Sequence, residues 1–213
     1  MTTRLIVIRH AQSLANAEGR IQGHLDFALS ELGRRQSERL AARLAAAGVD
    51  ALYTSPLKRA RETADVLAAR LGLTVEDVLA LRERDVGELA GLNRAELLAR
   101  FPQYGRPGAD VSRIKVEGFE QDAELTERVT STFRRIISAH EGGTVAVVTH
   151  GGVIGTVFCW ALGLPRLRPA RFTIDNASLT IFNVRDLDAD GAHPQAQLIT
   201  LNDTCHLDAV ADA

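Results

Sequence analysis

The chain has 213 residues, with 25 Lys and Arg against 27 Asp and Glu for a formal net charge of -2, and it is 46% hydrophobic and 24% charged. That length suits one domain, with or without a small cap, and the balanced charge lacks the basic excess of a nucleic-acid binder. No apolar run reaches the length of a membrane span, and Cys159 and Cys205 show neither metal-ligand spacing nor a disulfide framework, so the default expectation is a soluble, cytoplasmic protein.

Short apolar runs alternate with longer helical patterns. Leu5-Ile6-Val7-Ile8 reads as a buried strand that stops at Arg9-His10. Ser30 is the N-cap expected for a helix through about Ala47, closed by Gly48. Ala51 to Thr54 is a short strand, after which Ser55-Pro56 is expected to cap and open a second helix containing Arg59. Thr74 to Leu79 is a weaker strand, and Asn93 caps a short helix ending near Phe101-Pro102. The Gly- and Pro-rich stretch from Pro102 to Gly118 reads as loop, followed by a long helix from about Glu120 to Ala139. Thr144 to Thr149 is the clearest buried strand and stops at His150-Gly151, where a helix toward Gly163 begins. Ser178 to Val184 and Gln197 to Leu201 are two closing strands, with Asp190-Gly191 favouring a reversal between them. The last residues, about Asp203 to Ala213, read as a loosely held tail. Strands alternating with helices predict a three-layer α/β/α sandwich around a mainly parallel sheet with an antiparallel edge.

The chemistry-bearing residues fall at strand ends. Arg9-His10, Arg59 and His150-Gly151 stand where the carboxyl ends of parallel strands bind ligands. Two histidines and two arginines meeting there make a small positive pocket suited to a phosphate, with Arg forks and helix-start N–H groups as donors. Taken singly, Arg9 would be a surface charge, and Glu83 within Arg82-Glu83-Arg84-Asp85 a solvated face.

The set as a whole resembles the histidine phosphatase (phosphoglycerate mutase-like) superfamily. The resemblance is carried by Arg9-His10-Ala11-Gln12-Ser13 with Asn16, Arg20 and Gln22-Gly23, and by Thr54 to Ala60 with Glu62-Thr63-Ala64. It continues in Leu81-Arg82-Glu83 with Gly87 and Gly91-Leu92, in Gly118 with Glu120 and Arg128, and in His150-Gly151-Gly152. It implies a phosphoric monoester hydrolase in which His10 is the nucleophile and passes through a phosphohistidine. Arg9, Arg59 and His150 would hold the phosphoryl oxygens, and Glu83 would be the proton donor, with Glu88 as fallback. Asn16, Gln22, Gly23 and Gly151 would be further substrate contacts. The whole of residues 1–213 would form a single domain, with a cap insertion at roughly 84–122. The resemblance implies no cofactor and no metal, a small phosphorylated metabolite as partner, neither nucleic acid nor membrane, and allows a homodimer.

Three alternatives stand beside this reading. A metal site from His10, His150, Glu83 and Asp26 would have Arg9 and Arg59 repelling the cation. A non-catalytic phosphate-binding protein would usually have lost its nucleophile or acid. A cofactor-dependent phosphoglycerate mutase shares the His10 chemistry, but Asp85 and Val86 replace the His and Tyr usual in such mutases, and Arg106, Arg113 and Lys115 are scattered rather than paired. Phosphatase is therefore the favoured expectation. Ala11 stands where Gly is usual, and Gly155 where many relatives carry Arg.

Overall fold

A computed structural model describes residues 1–105, 116–165, 172–187 and 193–210. Among these, six strands form one sheet: Thr3–Arg9 (β1), Ala51–Thr54 (β2), Val75–Asp77 (β3), Thr144–Thr149 (β4), Leu179–Leu187 (β5) and Pro194–Asp203 (β6). The sheet order is β3-β2-β4-β1-β5-β6. β3, β2, β4 and β1 pair in parallel, whereas β5 is antiparallel to both β1 and β6. The expected mixed sheet is therefore observed. The Asp190-Gly191 pair lies outside the described residues, as do Arg106, Arg113 and Lys115.

Helices cover both faces. Glu31–Leu44 and Lys58–Leu71 lie on one, over Ile6, Ile8, Leu52, Ala146 and Val148. Asp122–Ala139 and Gly151–Ala161 lie on the other, over Leu5, Val7, Val145 and Val147. In chain order the helices are Leu14–Ala17 (α1), Glu31–Leu44 (α2), Lys58–Leu71 (α3), Arg94–Arg100 (α4), Asp122–Ala139 (α5) and Gly151–Ala161 (α6). β1 and β4 read as unbroken apolar runs because both their faces are covered. A third, smaller cluster of Leu89, Leu97 and Phe119, with Val86 and Leu92, gathers in the segment expected to be a cap and packs on Ile21.

Caps explain several boundaries. The Ser30 side chain accepts from the Gly33 N–H as expected, and Asn93 with Glu96 forms a capping box at the start of α4. The α3 start differs: the helix begins at Lys58, after Leu57, and not at Pro56. Ser55 is turned to another task (described below), and the Lys58 N–H instead donates to Asp26 Oδ1 at 2.5 Å. A long-range cap of that kind leaves no local sequence signal. The C-terminal expectation also needs correcting. Cys205–Val210 forms a 3-10 turn against α2, with Leu207 packed on the second core cluster, so this part of the tail is docked.

Candidate active site

Register places the two histidines. Arg9 pairs with Thr149 across the parallel β1–β4 ladder, so His10 and His150 are the next residues on adjacent strands. Their ring centroids are 5.1 Å apart, and both side chains are buried. His10 Nδ1 lies 2.7 Å from the Ala11 carbonyl. A carbonyl only accepts, so Nδ1 carries the proton and Nε2 keeps its lone pair. The backbone around the ring is pinned as well. The Ala11 N–H donates to Thr63 Oγ1, and the His10 carbonyl accepts from Asn176 Nδ2 at 3.0 Å and from the Ala177 N–H. Ala11 is fully buried with both backbone groups used, so a methyl group is accommodated where Gly is usual.

His150 Nε2 lies 2.8 Å from Ser55 Oγ, while its Nδ1 is buried with no hydrogen-bond partner. Ser55 Oγ accepts from the Leu57 N–H and still has its own proton to give; donated to His150 Nε2, that proton puts the ring proton on Nδ1. Burial pushes both imidazoles well below the ordinary histidine value, and the Arg59 and Arg9 charges push in the same direction. Both rings are therefore neutral at neutral pH.

Arg59, in the first turn of α3, is 1% exposed. Its Nη1 donates to the Leu25 carbonyl and its Nη2 to the Gly23 carbonyl, each at 2.9 Å, while Nε is buried without a partner. Burial lowers its pKa to about 10, with Glu83 and Asp26 working against that shift, so it stays charged. Arg9 Nη1 donates to the Ile174 carbonyl, and its Nε is likewise buried and unpartnered. Burial also lowers the Arg9 pKa, with Glu83 and Asp175 opposing.

Glu83 faces the histidines from the other rim. Its Oε1 accepts from its neighbour's N–H, that of Arg84, at 2.8 Å, and its Oε2 accepts from the Gly152 N–H at 3.2 Å. A Cβ on Gly152 would stand 2.4 Å from Glu83 Oε1, so the acid occupies space that only glycine leaves. Glu88, the fallback, is ion-paired with Arg100 at the surface and does not line the cavity. Glu120 and Arg128 lock the Glu83 segment. Arg128 donates to the carbonyls of Ala80, Arg82 and Glu83 and to both Glu120 oxygens. Burial raises the Glu120 pKa, but the Arg128 hydrogen bonds and charge outweigh it and leave the net value lowered.

One cavity of about 330 Å³ is lined by Arg9, His10, Asn16, Gln22, Gly23, Arg59 and Glu83 among the expected residues. Arg20, Ile21, Arg84, Val86, Leu89, Phe119 and Gly152 complete it. Gln22 Oε1 accepts from Ser13 Oγ, and Asn16 Oδ1 accepts from the Ser13 N–H, so each amide has its NH2 end left for an anion. Gly23 has φ +50°, and a Cβ there would meet Val86 Cγ2 at 2.5 Å. His150 and Gly151 do not line the cavity; His150 stands against His10, and Gly151 opens α6 beside Arg9. Gly155 borders Phe172, whose ring lies tilted against Phe158 with centroids 4.8 Å apart. Asp26, weighed above as a metal ligand, is the cap of Lys58.

Sequence reasoning assigned no site role to Ser55, Gly152, His24 or Asn176. The adjacent pairs Thr54-Ser55 and Gly151-Gly152 held signals for the first two; no local pattern marks Asn176. The other histidines without an assigned role include His140, whose Nε2 meets the Tyr53 hydroxyl at 2.8 Å, and His193, whose Nδ1 meets the Trp160 carbonyl.

Known proteins resemble this chain in sequence and fold. Phosphoglycerate mutase-like protein 4 of Arabidopsis thaliana is 36% identical over 194 residues, covering 86% of this chain and 80% of the relative. Phosphoserine phosphatase 1 of Hydrogenobacter thermophilus is 32% identical over 205 residues, covering 96% and 94%. The solved structure of a mycobacterial glucosyl-3-phosphoglycerate phosphatase in complex with VO3 superposes with a TM-score of 0.84 at 30% identity, covering 94% of this chain and 99% of that one. No helix among the described residues is long and apolar enough to cross a membrane. Residues 5–193 match the histidine phosphatase superfamily (branch 1), and the chain belongs to that family.

Proposed function

We propose that His10 is the nucleophile and Glu83 the proton donor of this phosphoric monoester hydrolase, a metal-independent phosphomonoesterase of the histidine phosphatase type. The observation that carries the assignment is the state of His10: a neutral ring with Nδ1–H spent on Ala11 and the Nε2 lone pair left for attack. Two buried N–H donors without protein partners supplement it, Arg9 Nε and Arg59 Nε, and the likewise unpartnered His150 Nδ1 is a third when Ser55 donates to Nε2 of that ring. Together they suit the equatorial oxygens of a transferring phosphoryl group.

The Nε2–P bond forms as the ester P–O bond breaks, and the proton passes from the Glu83 carboxyl to the departing alkoxide. Water then attacks phosphorus and gives its proton to the Glu83 carboxylate. The N–P bond breaks, inorganic phosphate leaves, and both residues return to their starting states. Asn16, Gln22 and the backbone at Gly23 and Gly151 contribute further donors. The segment of roughly 84–122 acts as the cap of a single domain and sets which small phosphorylated metabolite enters.

Hydrolysis is favoured over phosphoglycerate mutation by the cavity's charge. Of its described lining residues, the two cations beyond Arg9 and Arg59 are Arg20 and Arg84. Arg20 is paired with Glu18 and Glu96, and Arg84 with Asp122. Holding a bisphosphorylated intermediate calls for cations that are not already neutralised.

The test is turnover of 3-phosphoglycerate and p-nitrophenyl phosphate in EDTA, with inorganic phosphate and 2-phosphoglycerate followed together. Phosphate release without isomer formation is expected, with an acid-labile phosphoenzyme that His10→Ala lacks. Isomer formation stimulated by bisphosphoglycerate would overturn the hydrolase reading, and a phosphoenzyme persisting in His10→Ala would overturn the nucleophile.

A further inference from the structure

His24 sits in the loop between the Gln22-Gly23 phosphate contacts and Asp26. Its Nε2 lies 2.8 Å from the Glu83 carbonyl, and its Nδ1 lies 3.2 Å from Asp85 Oδ2. The carbonyl only accepts, so Nε2 carries a proton and the ring donates to the peptide of the proposed acid. The same carbonyl accepts from Arg128 Nη2 at 3.1 Å. Glu83 is thus held from α5 by Arg128 and from the phosphate loop by His24.

The residues on either side of His24 are the two whose carbonyls take the Arg59 fork. Gly23 accepts from Nη2, Leu25 accepts from Nη1, and Asp26 then caps the helix that carries Arg59. A short rigid path therefore runs from Arg59 through residues 23 and 25 to the His24 ring and on to the backbone of Glu83. Both ends of that path touch the reacting ester in the proposed mechanism: Arg59 at the phosphoryl oxygens, Glu83 at the leaving oxygen.

We infer that His24 is a positioning residue that fixes the proton donor relative to the phosphate clamp, an inference that rests on the assignment of Glu83 as donor. Proton donation matters most when the leaving oxygen is a poor leaving group, and misplacing the donor by a fraction of an ångström removes much of its effect. A residue that merely stabilised the loop would slow all substrates alike.

The experiment measures kcat/KM for aryl phosphates from p-nitrophenyl to unsubstituted phenyl, in wild type, His24→Ala, His24→Gln and Glu83→Gln, with the inhibition constant of inorganic phosphate alongside. For His24→Ala we expect a loss of about threefold or less on p-nitrophenyl phosphate and of roughly 30- to 100-fold on phenyl phosphate. His24→Gln, whose amide can still donate to the Glu83 carbonyl, should recover most of the phenyl phosphate rate, and phosphate inhibition should stay within about twofold. Glu83→Gln is the internal standard and should show the same leaving-group bias in stronger form. If Glu83→Gln slows all esters equally, the donor assignment itself fails. If Glu83→Gln is biased and His24→Ala is not, or if His24→Ala only weakens phosphate binding, the positioning role of His24 is wrong. Should His24→Ala not fold, Asp85→Asn takes its place: a bias of the same sign supports the inference, and a uniform loss overturns it.

Discussion

The Ser55 hydroxyl lies 2.8 Å from Nε2 of His150 and is the hydrogen-bond partner of that ring. With Ser55 donating, Nδ1–H becomes a buried donor with no protein partner, beside His10. Ser55→Ala removes that partner and lets the ring adopt the other tautomer. We expect kcat/KM on p-nitrophenyl phosphate to fall about tenfold, the scale of one buried hydrogen bond. Vanadate inhibition should weaken in parallel; undiminished inhibition would mean that Ser55 does not orient His150.

Burial, Arg59 and Arg9 hold His10 and His150 neutral in the folded chain, whereas the same rings titrate near their ordinary value of 6.5 once unfolded. Below that pH the unfolded chain takes up protons that the native state refuses. Stability is therefore present in full above about 6.5 and declines as pH falls, with each ring adding a slope of up to about 1.4 kcal/mol per pH unit. Urea unfolding of wild type and His10→Asn between about pH 7.5 and 5 measures the difference. The variant should show the shallower dependence by about one proton, and equal slopes would refute a neutral buried His10.

Gly152→Ala separates activity from stability. The new methyl group would stand 2.4 Å from Glu83 Oε1 and displace the acid, while alanine is the better helix former by up to about 1 kcal/mol. We expect Tm to hold or rise slightly while kcat on a poor leaving group such as phenyl phosphate falls about 100-fold. A variant of full activity would show that the Glu83 carboxylate has other productive positions.

Arg128→Met removes at once a donor to the carbonyls of Ala80, Arg82 and Glu83 and the ion-pair partner of the half-buried Glu120 carboxylate. The expected loss in urea unfolding is roughly 3 kcal/mol, the scale for breaking a buried ion pair. Glu120→Gln in the Arg128→Met background should restore part of it, because the amide removes the unpaired charge. No restoration would place the cost in the carbonyls alone.

Much of this molecule was legible in its residues because the central strands are covered on both faces. β1 and β4 each carry an uninterrupted apolar run, and the residue after each strand is a histidine. The sandwich and the antiparallel edge followed from alternation alone. What stayed hidden depends on contacts between distant segments. Asp26 capping Lys58 moved the start of α3, and Leu207 packing on the second core cluster docked a tail with no motif. In the site, Arg9, His10, Arg59 and Glu83 were identified through a recognised motif set, whereas His24 and Asn176 act through backbone carbonyls. A side chain that serves a carbonyl carries no constraint on the identity of its partner, so no pairing in the sequence betrays it.

The Arg9–Thr149 register roots His10, the proposed nucleophile, and His150 at the ends of the two innermost strands, while Glu83 and the residues around Phe119 stand on the periphery. Amides beneath the histidines should exchange with solvent only when the entire fold opens, and those of the periphery through smaller local openings. The relative placement of His10 and His150 is thus insulated from changes in the residues around Phe119. New leaving groups can be accommodated by altering residues there, without loosening the pair of strands that holds the reacting nitrogen in place.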